Sequence, residues 1–211
     1  MRITNYKKSH WFFYLEWVVL NAITTVVAGY VAWALLSLIV RAIGDTIQVA
    51  GQTHITEDFL LLYLFCPTIG LFTGILQYTL LRRYLPHIAW WIAATFLGWL
   101  MPFIVGFIFT AFIPHGLDPA SSWEVIGVTL MGMTIALPQW WILRKRVNHA
   151  TWWILANGIA WAMVGLLNHL RSEPFTVLSA VALIPAIATG IVCWLLITLP
   201  KTEIETRSSV H

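Results

Sequence analysis

Long apolar stretches separated by short polar ones dominate the chain. Six stretches approach the roughly 20 apolar residues that a helix needs to cross a hydrocarbon core, and none has a charged residue deep inside: 17–40, 59–81, 90–113, 123–143, 152–170 and 175–199. The fifth is the shortest. The pattern predicts an all-α integral membrane protein, a six-transmembrane-helix bundle in a single domain, 1–211, with a polar cytoplasmic tail at 200–211.

Composition and charge agree with this class and set an orientation. Hydrophobic residues make up 59% of the chain and charged residues 10%, whereas about a quarter of a soluble protein is charged. With six spans, the N-terminus, the loops "RRYLPHI" and "RKRVNHA" and the tail share one side, which leaves Arg41 and Arg171 on the other. Basic residues favour the cytoplasmic side, so both termini are expected there, in a bacterial plasma membrane. The positive charge requires no nucleic acid, because anionic lipid accounts for it.

Part of the sequence repeats. Residues 70–99 and 132–161 align without a gap and share ten of thirty positions, among them a glycine, a glutamine, an arginine, a histidine and a tryptophan pair. A weaker third copy combines the two ends of the chain, with Val192 in the place of Gln77 and Gln139 and Ile197 in the place of the arginines. Three units of two helices each would be parallel and related by a pseudo-threefold axis along the membrane normal.

The repeated unit reads G-x-x-x-x-x-x-Q-[WY]-x-x-L-R, then a short basic loop, then W-W-x-x-A. It resembles an uncharacterised group of polytopic bacterial membrane proteins built from the same unit, and the resemblance covers about residues 17–199. It implies the repeated helical fold. It implies no activity, substrate or cofactor.

Polar residues recur at equivalent depths near the predicted cytoplasmic side. Gly70, Gly74 and Gln77 share one helix face, and small residues allow helices to approach closely in lipid. The predicted buried polar layer comprises Asn21, Gln77, Thr95, Gln139 and Asn157. These side chains either pair with one another and hold the bundle together, which we favour, or line a pocket for a polar headgroup or small solute.

The basic loops carry a second candidate site. Tyr78 and Arg82, and again Trp140 and Arg144, stand four residues apart, a spacing that allows a cation-π contact. Ordinary anchoring at the membrane surface explains the basic residues. The alternative is a site for anionic lipid headgroups, with these candidate contacts: Arg82, Arg83, Arg144, Lys145 and Arg146.

Other candidate chemistry is weak. Cys66 and Cys193 fall inside predicted spans and are expected to act as small hydrophobic residues. His87 and His149 lack a nearby carboxylate in the sequence and fit turn positions better than a metal site. We recognise no catalytic motif, and the predicted spans carry no ionisable group near their centres. The sequence therefore predicts no catalytic residues, cofactor or metal.

Three functions follow from this pattern, in order of preference. The first is a non-enzymatic scaffold or a subunit of a larger membrane assembly, with lipid and other membrane subunits as partners. The second is a facilitator or binding protein for an uncharged or lipid-like small molecule held in the amide-lined centre. The third is a membrane-embedded lipid-modifying enzyme.

Overall fold

The computed structural model describes residues 10–49, 51–112, 122–170 and 174–198. The predicted helical class is confirmed: α1 (His10–Ile43), β1 (Thr46–Val49), β2 (Gln52–Ile55), α2 (Thr56–Leu60), α3 (Cys66–Leu81), α4 (Trp91–Phe112), α5 (Ser122–Leu143), α6 (Thr151–Leu170) and α7 (Pro174–Thr198). The ends of α4 to α7 fall within one residue of the predicted ranges, whereas α1 begins earlier. The polar tail at 200–211 lies outside the described residues.

The chain between α1 and α3 differs from the loop that the apolar pattern suggested. Gly44, at φ +100°, ends α1, and strands β1 and β2 then form an antiparallel hairpin with Thr46 opposite Ile55. A π-helical turn, Leu61–Phe65, joins α2 to α3 just before Pro67. Such turns commonly adjust the helical hydrogen bonds near a proline, so the helix continues through it.

Six long helices pack in a closed ring. Along the ring, α1 contacts α3, α3 contacts α4, and the contacts continue through α5, α6 and α7 back to α1. Two buried apolar clusters fill the interior. One contains Trp17, Trp91 and Trp153 near the basic loops, and the other contains Trp99 and Trp161 further along the helices.

The distribution of polar and apolar side chains is that of a membrane protein. Four described helical stretches are long and apolar enough to cross a membrane: Trp11–Ile43, Tyr63–Leu81, Val125–Leu143 and Ala180–Thr198. A shorter apolar stretch, Trp91–Pro102, lies in α4. Asparagines at 157 and 168 lower the mean hydropathy of α6. The buried polar residues of the described chain are uncharged, while many large apolar side chains are exposed, as expected for helices that face lipid.

Glycines bring neighbouring helices together. A methyl group on Gly70 would lie 2.9 Å from Cβ of Trp99, and one on Gly132 would overlap the Trp161 side chain. A methyl group on Gly98 of α4 would overlap the carbonyl oxygen of Ile135 on α5. The absence of side chains at these positions allows the close helix contacts that lipid-embedded bundles use.

The two basic loops have the same backbone path. His87 and His149 adopt left-handed conformations, with φ of 57° and 58°. Leu85 N–H donates to the carbonyl of Leu81 at 2.8 Å, and Val147 N–H donates to that of Leu143 at 2.9 Å. Histidine is one of the residues that tolerate this conformation comparatively well, so both histidines have a structural role in their turns.

Candidate functional site

The centre of the candidate site is a layer of hydrogen-bonded side chains within the ring. Gln77 Nε2 donates to Asn21 Oδ1 at 2.9 Å. Gln77 Oε1 accepts from Trp91 Nε1 at 3.1 Å and from Gln139 Nε2 at 3.4 Å. The α3 glutamine thus connects α1, α4 and α5.

Gln139 repeats this arrangement one helix pair further round the ring. Its Nε2 donates to Thr95 Oγ1 at 2.9 Å, and its Oε1 accepts from Trp153 Nε1 at 2.9 Å. Each glutamine therefore joins a polar residue on the preceding helix to a tryptophan on the following one. Gln139 is 3% exposed, and a buried amide without partners would be destabilising. Because its partners lie on the two neighbouring helices, these bonds hold the helices in register.

The third part of the layer is built differently. Trp17 Nε1 donates to Thr189 Oγ1 at 3.1 Å, and the Thr189 hydroxyl donates to the carbonyl of Pro185 at 2.6 Å. The prediction that Val192 takes the glutamine's place was wrong. Val192 lines an outer groove with His149 and Trp152, and Thr189, almost one helical turn earlier, receives the tryptophan N–H.

Asn157 occupies the position on α6 that Asn21 occupies on α1, with a different set of bonds. Both side-chain amides donate at 2.8 Å to the carbonyl four residues earlier, that of Trp17 or Trp153. Asn21 Oδ1 also accepts from Gln77. Within the described part of the chain, no donor reaches Asn157 Oδ1, although Asn157 is 5% exposed. The structure therefore joins four of the five predicted layer residues directly and leaves Asn157 beside them.

Three tryptophan rings close one end of the layer. Trp17, Trp91 and Trp153 are 0%, 0% and 1% exposed. The Trp153 ring packs edge-on against the other two, with centroid distances of 6.0 Å to Trp17 and 5.8 Å to Trp91. The rings lie on the side of the layer nearer the basic loops, in the same cluster as Leu85 and Val147.

A cavity of about 50 Å³ adjoins the layer. Trp99 and Trp161 form part of its wall, with ring centroids 5.7 Å apart. Thr25 lies where the repeat would place a third tryptophan, and it also lines the cavity. Asn157 and Thr189 complete a polar side. The cavity has space for about three to five water molecules, given roughly 10 to 15 Å³ of accessible volume for each.

The basic residues of the loops have different surroundings. The Arg82 guanidinium lies 5.8 Å from the Tyr78 ring centroid, and that of Arg144 lies 5.0 Å from Trp140 and 3.3 Å from Trp141. These contacts agree with the predicted cation-π pairs.

Two further basic residues contact groups that the sequence did not indicate. Arg83 Nη1 forms an exposed ion pair with Glu16 Oε2 at 3.1 Å. Arg146 Nη2 donates to the carbonyl of His87 at 3.4 Å, while Lys145 lines the same surface groove as Arg146. The five predicted lipid contacts are therefore spread over separate environments.

The layer can bind through hydrogen bonds to neutral groups. It contains amides, hydroxyls and indoles, and no charged side chain among the buried residues of the described chain. No group of three metal-ligating side chains occurs in the described residues. Cys66 and Cys193 are free thiols. The arrangement offers no nucleophile with a base beside it.

Sequence reasoning missed two components of the layer. The first is Thr189, which is one threonine among several in the apolar stretches. The second is the indole N–H groups of the inner tryptophans, which donate to the glutamines. A signal was present, since each glutamine precedes its tryptophan by fourteen residues in both copies.

Comparison of the chain with protein-family models, with curated proteins and with solved structures gives no match in any of the three.

Proposed function

We propose that this chain is a non-enzymatic integral membrane protein that serves as a scaffold or as a subunit of a membrane assembly. In this proposal the six long helices all cross a bacterial plasma membrane as three parallel two-helix units, with both termini cytoplasmic. The matched turns at His87 and His149 and the matched bonds of Gln77 and Gln139 support the repeat. The basic loops support the orientation. Membership of the uncharacterised repeat group belongs to the same proposal.

One observation carries the structural role: the central amides bind one another. The four polar atoms of Gln77 and Gln139 all have partners on α1, α4 or α6, and a longer bond of 3.4 Å joins the two glutamines to each other. Polar side chains in membranes commonly serve to join helices. The tryptophan rings beside them close the centre, an arrangement that favours a rigid bundle over a conducting path.

Orientation can be tested with single cysteines. Asn148→Cys and Asp45→Cys would be introduced separately into a chain whose two native cysteines are replaced by alanine. A membrane-impermeant maleimide should label position 148 in inverted vesicles and position 45 in intact spheroplasts. Labelling of both positions from the same side would contradict an odd number of crossings between them, and hence the six-span topology.

The role as a subunit can be tested by native mass spectrometry of the protein extracted gently from its own membrane. The expected result is a complex of fixed stoichiometry with another membrane polypeptide, retained through two successive purification steps. A chain that emerges alone in several mild detergents would contradict the proposal. Chemical crosslinking before extraction provides the control for partners lost to detergent.

A second candidate, binding of a small uncharged molecule, is favoured by Asn157. Asn157 lines a polar cavity, and its side-chain oxygen receives no hydrogen bond from the described residues. An acceptor beside a polar cavity is normally satisfied by protein or by water. A volume of about 50 Å³ suits waters or a neutral donor of a few heavy atoms, so a small polar ligand fits better than a lipid chain.

Formamide is a suitable probe because it is a neutral donor of three heavy atoms. If this candidate is correct, millimolar formamide should raise the thermal unfolding midpoint of the protein in detergent and should leave Asn157→Leu unchanged. Asn168→Leu, an exposed asparagine on the same helix, serves as the matched control and should respond as the parent protein does. Equal responses in all three proteins would contradict a site at Asn157.

A further inference from the structure

A surface groove lies where the first basic loop meets the end of α5. We call it the basic groove and define it by its lining: His87, Trp90, Trp141, Ile142, Lys145 and Arg146. Its volume is about 280 Å³. Trp90 and Trp141 are 76% and 53% exposed. We infer that the basic groove binds the phosphate headgroup of an anionic phospholipid.

The described residues do not neutralise the charge of the groove. Within the described residues, no carboxylate pairs with Lys145 or Arg146, and the salt bridge that is present joins Arg83 to Glu16 elsewhere. Arg146 uses one Nη2 hydrogen for the carbonyl of His87, which orients the guanidinium and leaves other donors free. Lys145 Nζ lies 6.0 Å from the Trp141 ring centroid. Two cations beside exposed indoles suit a phosphate attached to a glycerol group.

A second groove at the α6/α7 contact provides an internal comparison. It is lined by His149, Trp152, Val192, Leu195 and Leu196 and has a volume of about 200 Å³. His149 and Trp152 correspond to His87 and Trp90. If Thr189 corresponds to Gln139, then Leu195 and Leu196 take the places of Lys145 and Arg146. This groove has the same histidine-tryptophan edge and a smaller volume, but no lysine or arginine is among its described lining residues.

The third contact of this type lies between α1 and α3, and there a carboxylate neutralises the basic residue. Glu16 stands where the repeat places Trp90, and Arg83 stands where it places Lys145. The two side chains form the ion pair at 3.1 Å. Of the three related contacts, the one between α4 and α5 thus combines unpaired cations with exposed indoles.

The inference rests on the proposed membrane placement. Exposed tryptophans are typical of the membrane-water interface, and basic residues at the cytoplasmic surface attract anionic lipid. Each cation near such a surface contributes about a factor of five in affinity. Loss of both Lys145 and Arg146 should therefore weaken the interaction about thirtyfold.

The test uses the full chain in neutral detergent, with native mass spectrometry to count retained lipids. Phosphatidylglycerol should form a one-to-one adduct at concentrations where phosphatidylcholine does not. Lys145→Gln with Arg146→Gln should lose that adduct. Arg82→Gln with Arg83→Gln removes the same charge from the other loop and should keep it. Leu195→Lys, at an exposed position of the α6/α7 groove, should create a second adduct.

Three results would overturn the inference. They are equal retention of both lipids, equal loss in the two double-glutamine variants, and displacement of the adduct by millimolar glycerol phosphate, which would identify a soluble phosphate as the occupant. The substituted residues are exposed or partly exposed, and unchanged circular dichroism would show that the variants fold. Resistance to carbonate extraction tests membrane insertion separately, so failure of lipid binding and failure of membrane placement can be distinguished.

Discussion

The α4/α5 contact and the α6/α7 contact have similar helix pairs and similar loops beside them, but they differ in their polar side chains. At α4/α5, Gln139 donates to Thr95, and the outer groove carries Lys145 and Arg146. At α6/α7, the Thr189 hydroxyl donates within its own helix, so Asn157 receives no bond from it. The groove there is apolar. Two similar helix contacts thus differ in their hydrogen bonds and in the charge of the groove beside them.

The difference also extends to how closely the helices approach. Gly98 on α4 lies against the carbonyl of Ile135 on α5. Ala160 stands at the corresponding position of α6, and it is fully buried. A side chain is therefore accommodated at one interface and excluded at the other. We conclude that the α4/α5 contact is the tighter one.

The largest expected effect is that of Gly98→Ala. The added methyl group would overlap the Ile135 carbonyl oxygen, a backbone atom that cannot move away by a side-chain rotation. We expect a loss of about 3 kcal/mol in the free energy of unfolding, at the upper end of the usual cost of overpacking. The measurement is unfolding in mixed micelles titrated with a denaturing detergent.

Gly127→Ala is the matched control, because a methyl group on Gly127 would meet nothing within 4 Å. It should leave stability unchanged or raise it by up to about 1 kcal/mol through better helix propensity. Equal losses in the two variants would show that the α4/α5 backbones are further apart than described here.

A smaller effect is expected for Gln139→Leu. The change removes the bonds to Thr95, Trp153 and Gln77 and leaves the buried Trp153 indole without an acceptor. Bonds between membrane helices average about 0.6 kcal/mol each, and a buried orphan donor costs about 1 to 3 kcal/mol. We expect a loss of about 2 kcal/mol in the unfolding free energy.

Thr189→Val provides the comparison at the other interface. It keeps the side-chain shape, removes the bonds to Trp17 and to the Pro185 carbonyl, and leaves the buried Trp17 indole without an acceptor, so a loss of about 1 kcal/mol is expected. Stabilities would be measured under the same mixed-micelle conditions. If Thr189→Val is as harmful as Gln139→Leu, the two interfaces do not differ in polar connectivity as argued here.

The sequence allowed the helices and part of the layer to be predicted for a clear physical reason. Amides inside apolar stretches need partners, so Asn21, Gln77 and Gln139 could be expected to meet. Helix ends followed from the transition between apolar and polar residues. The matched glycines Gly70 and Gly132 indicated close contacts, and the structure places both against tryptophans.

Other features could not be read from the same pattern. The alignment of the third copy places α7 only approximately and does not show which face of this helix points toward the centre. The sequence therefore could not show whether Val192 or Thr189 lies in the layer. Threonines also bond to their own helix, as Thr95 does to the carbonyl of Trp91, which hides their role between helices. The hairpin at Thr46–Val49 and Gln52–Ile55 lies between apolar stretches, where hydropathy does not distinguish two short strands from a loop.

The smallest expected effect concerns the two equivalent asparagines. Asn21→Leu removes the acceptor of Gln77 Nε2 and should lower the free energy of unfolding by about 1 kcal/mol. Asn157→Leu removes an amide whose oxygen receives no donor from the described residues, and it adds apolar bulk beside the cavity. The substitution should therefore lower the free energy of unfolding by less than about 0.5 kcal/mol. The hydrogen bonds of Asn157 offset little of the cost of burying its amide, so little stability is lost with them. Denaturant titration of both variants gives the difference directly. A larger loss for Asn157→Leu would mean that its oxygen is held by an ordered ligand or water, which would favour binding at the α6/α7 interface over a purely structural role.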